Sequence, residues 1–185
     1  MISAVRNSFR ELQAIEGLGG VFSEYRETLV WLANFLTGDK NVAEACVIDA
    51  CALAEAQTPG LQGWPVEWAR LATIRSAMEM QQKRIAQLSS VYAHRPCIHG
   101  GHRALVQESI EVLVAESDAL IGKLDVLCRF ALLLCGLEKH SAQKAALLLS
   151  IEHASVEGAY CAAVRYLKVI GCEQFRQQNF AAMLN

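Results

Sequence analysis

His94, Cys97, His99 and His102 place four metal-capable side chains within nine residues. Zinc accepts imidazole nitrogen and thiolate sulfur, but structural zinc sites usually draw ligand pairs from two separated elements. Four ligands in one glycine-containing stretch read instead as a polar linker, and no metal is expected. Groupings for catalysis are equally sparse. Asp49 and Glu79 are single carboxylates without an evident partner. No Ser or Cys stands with a nearby His and acid in the setting of a nucleophile. The run Gly17-Leu18-Gly19-Gly20 follows no strand, so it lacks the context of a phosphate-binding loop. His140 and His153 are isolated. Catalytic residues, an enzyme activity and a cofactor are therefore not expected; the chemistry on offer is binding.

For nucleic acid the candidates are Trp68, Arg70, Arg75, Lys83 and Arg84. A single strand calls for a cationic track and aromatic faces on which bases stack. The same residues also read as a solvated helix face whose last cations complement the helix C-terminus. Formal net charge is −2 and pI is about 6.2, whereas a dedicated duplex binder carries a basic footprint.

These side chains need helices to position them. Apolar residues make up 53% of the chain but aromatics only 7%, so Ala, Leu, Val and Ile build the core, which favours helix. A short helix is expected around Phe9, Leu12 and Ile15, ended by the glycine run. Phe22, Tyr25, Leu29, Leu32 and Leu36 recur at three and four and predict a helix over 21–37. Asn41, with Glu44 three residues on, predicts the cap of a helix over 42–56. A turn-rich loop, TPGLQGWP, leads to Pro65 in the first turn of a fourth helix reaching Leu88.

Residues 89–102 read as a linker, which divides the chain into a first domain over 1–88 and a second over 103–185. In the second, a helix is expected over 103–115 and a strongly apolar, central one from Leu120 to Cys135, with a break at Gly136-Leu137-Glu138. Ala145, Ala146 and Leu149 share one face of a short helix, Ser150-Ile151 reads as a tight turn, and a second helix follows with Ser155 as its cap. Its apolar side is Val156, Tyr160, Ala163, Val164 and Leu167, and its outward side is Glu157, Gly158, Ala159 and Ala162. Gly171 is expected to end it, before a tail helix with Phe175 and Phe180. Two short helices joined by such a turn form a helix-turn-helix, whose second helix normally enters the major groove. Here that helix offers little to neutralise a phosphate or fork onto a guanine.

No stretch reaches 18 uncharged apolar residues, so no membrane span is expected. The first residues carry Arg6, Arg10 and Glu11 without an apolar core, so no signal peptide is expected either. Seven cysteines, scattered through apolar faces, suit buried thiols in a reducing cytoplasm.

Taken in order, the two halves resemble the extracytoplasmic-function sigma factors of bacterial RNA polymerase. YRETLVWLANFLTGDKNVAEACVIDACALA, from Tyr25 to Ala54, is similar to the family's opening block. WARLATIRSAMEMQQKR, from Trp68 to Arg84, is similar to the helix that meets the −10 element. Leu132 to Leu167 is similar to the second domain and its helix-turn-helix. The resemblance implies an all-α protein of two helical lobes, a region 2-like bundle and a region 4-like domain. It implies a transcription factor that binds core polymerase and promoter DNA. Glu44, Val47 and Asp49 would then face the polymerase. Trp68, Arg70, Arg75, Lys83, Arg84, Ser155 and Arg165 would face DNA, and an anti-sigma factor is a further implied partner.

The departures are systematic. Where the family usually places an acid and then a Gln after Ala43-Glu44, this chain has Ala45 and Ile48. Where the recognition helix usually carries Lys or Arg, it has Glu157, Ala159, Ala162 and Val164, with Arg165 close by. Core positions are kept while both contact surfaces are altered. This leaves a second reading open: a sigma-like fold serving only as a protein-binding module, either a decoy for an anti-sigma factor or a self-associating regulator.

Overall fold

A computed structural model describes residues 18–57, 65–95 and 123–183. Among them are seven α-helices, one π-helical segment and no strand, so the chain is all-α there. The helices are α1 (Leu18–Glu24), α2 (Arg26–Thr37), α3 (Lys40–Gln57), α4 (Pro65–Ala93), α5 (Val126–Ala131), α6 (Ala142–Leu149) and α7 (His153–Met183), with the π segment (Leu132–Leu137) directly after α5. None is long and apolar enough to cross a membrane. The expected helices around Phe9 and over 103–115, the loop before Pro65, and the positions of Cys97, His99 and His102 lie outside the described residues.

The chain divides into two compact units, Met1–Ile85 and Ala86–Asn185, so the boundary falls within α4. In the first unit, α1 packs on α2 and α3, which pack on each other. Leu29, Leu32, Ala33, Phe35 and Leu36 of α2 are buried, as are Ala43, Cys46, Val47, Ala50 and Ala54 of α3. The helix expected over 21–37 is divided at Tyr25, whose φ of −98° and ψ of 14° leave the α region. Of the glycine run, Gly19 and Gly20 lie in the first turn of α1, where unmade amide bonds are normal, and the helix the run was expected to end lies outside the described residues.

The α2–α3 turn places its cap differently from the Asn41 expectation. Gly38 ends α2 at φ 73°, a left-handed conformation that glycine adopts without a Cβ clash. Only Asp39 then remains before α3, and its Oδ1 accepts from the amides of Asn41 (2.8 Å) and Val42 (3.2 Å). Asp39 is therefore the cap and Asn41 already lies inside the helix. Pro65 does open α4, which runs five residues past Leu88, through Ala93.

In the second unit, α5 and the π segment form the expected apolar centre, with every residue from Val126 to Leu134 buried. Asp125 caps α5, accepting from the Cys128 amide at 2.9 Å. The π segment is closed by the Glu138 amide donating to the Leu133 carbonyl (2.8 Å) and the His140 amide to Leu134 (2.9 Å). Ser141 caps α6, and Ala145, Ala146 and Leu149 form its buried face, the three residues expected there. Ser150 turns the chain at φ 55°, as the expected turn requires. α7 then continues across Gly171 to Met183. One interior glycine costs about 1 kcal/mol relative to Ala, which does not break a helix without a turn behind it.

Candidate functional site

The residues expected to meet a polymerase lie on α3, and their exposure differs sharply. Val47 is buried in the core of the first unit. Glu44 is half-buried. Asp49 is also half-buried and accepts a hydrogen bond from Ser76 Oγ of α4 at 2.9 Å. One turn away, the Cys46 thiol donates to Met80 Sδ at 3.3 Å, and burial pushes that thiol up. The most open apolar side chain of α3 is Ile48, 66% exposed, between the exposed Ala45 and Ala52.

The DNA candidates of the first unit share α4. Trp68 is half-buried and lines a cavity of about 210 Å³ with Leu53, Ala54, Leu71, Ala72 and Arg75. Leu71 is 55% exposed at its mouth. Both arginines beside it have carboxylate partners one turn away: Arg70 with Glu67 at 3.7 Å and Arg75 with Glu79 at 2.9 Å. Lys83 and Arg84 are exposed.

In the second unit the face of α7 expected outward is largely covered. Ser155 does not cap α7, because the helix begins two residues earlier and the Glu152 carbonyl accepts from the amides of Ser155 and Val156. Its side chain is buried, and the hydroxyl donates to the Ser89 carbonyl of α4 at 2.8 Å. Gly158 and Ala159, expected on the outward side, are buried as well. A Cβ at Gly158 would stand 2.4 Å from the Tyr92 carbonyl oxygen, so the α4 backbone occupies the space in front of this face. Ala162 is half-buried; of the four residues expected outward, only Glu157 is exposed. Arg165, two turns past Glu157, is exposed.

Sequence reasoning did not find the polar node that holds this arrangement. The Tyr92 hydroxyl donates to the Asp125 carboxylate. The Cys128 thiol lies 3.3 Å from Tyr92 Oη and 3.4 Å from the Ala159 carbonyl. Arg95 stacks its guanidinium over the Tyr92 ring at 5.3 Å. Burial first, and then the hydrogen bond to Asp125, push the Tyr92 phenol well above its ordinary range. Burial pushes the Cys128 thiol up to about 12. A protonated, enclosed thiol is a poor nucleophile, and the node joins α4, α5 and α7.

Cys46, Cys51, Cys128 and Cys135 are in no disulfide, whereas Cys161 is disulfide-bonded, a departure from the expectation of buried thiols throughout. Among the described residues no group of His, Cys, Asp and Glu is placed to hold a metal ion. No family model, curated protein or solved structure matches the chain.

Proposed function

We propose that this chain is a protein-binding module, sigma-like in the order of its helical units, that works without reading promoter duplex. The observation that carries the proposal is a contrast between two helices. α3, the helix aligned with a polymerase-facing element, holds Ile48 66% exposed. α7, the helix aligned with a DNA-reading element, buries Ser155, Gly158 and Ala159 under the end of α4. Open apolar side chains mark protein contact where they form a patch, and Leu71 and Met80 add to Ile48 on the first unit. Core RNA polymerase and an anti-sigma factor are the partners the resemblance offers.

A working sigma-like initiator is the second reading. It is favoured by one observation, the exposed Lys83 and Arg84 near the middle of α4, where a melted strand would meet them.

The test is retention of purified core RNA polymerase by the full-length protein at two salt concentrations, with Ile48→Asp beside the wild type. Retention that tolerates salt and is lost in Ile48→Asp supports docking through α3. Retention that fades with salt and survives Ile48→Asp favours the cationic route of the second reading. No retention by folded protein removes polymerase as the partner.

A further inference from the structure

The most exposed large apolar side chain among the described residues is in the second unit, on α6. Leu147 is 81% exposed and its neighbour Leu148 44%. Neither can turn inward, because Ala145, Ala146 and Leu149 already fill the core-facing side of this eight-residue helix. The orientation of α6 is fixed at both ends. Ser141 Oγ accepts from the Lys144 amide at 3.2 Å. Lys139 and Ser150, on either side, are the non-glycine residues that adopt positive φ among the described residues, at 58° and 55°. Such conformations are unfavourable for L-residues and persist where the surroundings over-determine them.

Lys144 precedes Leu147 by three residues and Leu148 by four, so the three side chains share one helical surface. It is exposed, and its ammonium makes no ion pair among the described residues. The sequence of α6, AQKAALLL, contains no carboxylate. An open leucine pair beside an unpaired cation is complementary to an apolar residue flanked by an acid. By contrast, Arg75, the one charged residue lining the α4 cavity, already pairs with Glu79, so that rim leaves no charge to specify what covers it.

We propose that this face of α6 is the docking surface for an acidic amphipathic helix of another protein, an apolar side chain resting on Leu147 and Leu148 and a carboxylate meeting Lys144. A second copy of the chain fits less well, since symmetric pairing brings one Lys144 toward another with no acid on either α6. A lipid surface also fits less well, because interfacial helices present a broad apolar face and several cations. The proposal goes beyond the role given to α3 and does not depend on the sigma-like reading.

The experiment uses the full-length protein and two fluorescein-labelled helical peptides. One carries Leu along one face with flanking Glu; its twin has Lys at each Glu position. Anisotropy should show saturable binding of the acidic peptide to the wild type. Leu147→Asp should weaken it at least tenfold. Lys144→Glu should weaken it several-fold and improve binding of the Lys twin, while Ile48→Asp leaves it unchanged. The proposal is overturned if the acidic peptide fails to bind, or if it binds Leu147→Asp equally well. It is equally overturned if the Leu147-dependent event proves to be dimerisation by sedimentation, or adsorption to vesicles containing anionic phospholipid. Since Leu147 and Lys144 are exposed, thermal melts of the variants should match the wild type and exclude misfolding as the cause of any loss.

Discussion

Cys128 shows how one residue ties three elements together. It lies in the first turn of α5, its amide caps onto Asp125, and its thiol reaches both Tyr92 of α4 and the Ala159 carbonyl of α7. The protonated form is what the fold holds, so its pKa moves from 9.0 to about 12. A raised folded pKa contributes stability that is complete below the unfolded value and is lost as pH rises toward the folded one. The sensitive window is therefore pH 9 to about 12. Within it one such group removes about 1.4 kcal/mol per pH unit at most. Urea midpoints of the wild type should fall more steeply between pH 9 and 10.5 than those of Cys128→Ala, whose overall stability is lower but whose alkaline slope is shallower. Parallel slopes would show that the thiol does not hold its proton in the fold. The same node explains Ser155: with α4 pressed against α7, the hydroxyl has become an interhelical bond to Ser89 and offers nothing to a phosphate.

At the scale of elements, the crossing of α4 and α7 makes a sharp demand on Gly158. Ala in a helix interior is intrinsically better than Gly by about 1 kcal/mol, so Gly158→Ala would stabilise α7 if space were open. Space is closed: the added Cβ meets the Tyr92 carbonyl oxygen at 2.4 Å and its carbon at 3.2 Å, and backbone cannot swing aside as a side-chain tip can. Overpacking typically costs 1–3 kcal/mol, so the clash outweighs the propensity gain. Gly158→Ala should lower the thermal midpoint by several degrees, while Ala substituted at the exposed Glu157 should leave it nearly unchanged; a raised midpoint for Gly158→Ala would mean the helices do not approach this closely. Such crossings also mark where the sequence stopped being legible. The phase of Ala145, Ala146 and Leu149 was readable because a short helix has one wet side and one dry side. The outward face of α7 was not, because Gly158 and Ala159 are small whether they face water or another backbone, and their burial depends on a neighbour more than sixty residues away. Leu71 was hidden for the opposite reason, since an apolar residue at helical spacing reads as core even where it stands open, whereas the resemblance had already set Ile48 on a contact surface. Capping failed locally, Asp39 outranking Asn41 because Gly38 leaves only one residue for the turn.

For the molecule as a whole, the charge inventory limits what DNA can do. Of the five cations that the sequence nominates for DNA, Arg70 and Arg75 are engaged by Glu67 and Glu79, which leaves Lys83, Arg84 and Arg165. Each phosphate neutralised contributes about −0.9 to the slope of log affinity against log salt on duplex, and about −0.7 on a single strand. Three contacts thus give a slope no steeper than about −2.7 on duplex and about −2.1 on a single strand. A net charge of −2 adds long-range repulsion from either form. Titrations of a labelled duplex and of a labelled single strand between 50 and 200 mM salt should therefore give shallow slopes, with affinities no tighter than non-specific binding, roughly 10⁻⁴–10⁻⁶ M at physiological salt. A duplex slope steeper than about −5 would require phosphate contacts from cations other than these, and would return the chain to promoter recognition. A shallow slope on both, together with Leu147-dependent peptide binding, is the pattern of a protein whose open surfaces serve other proteins.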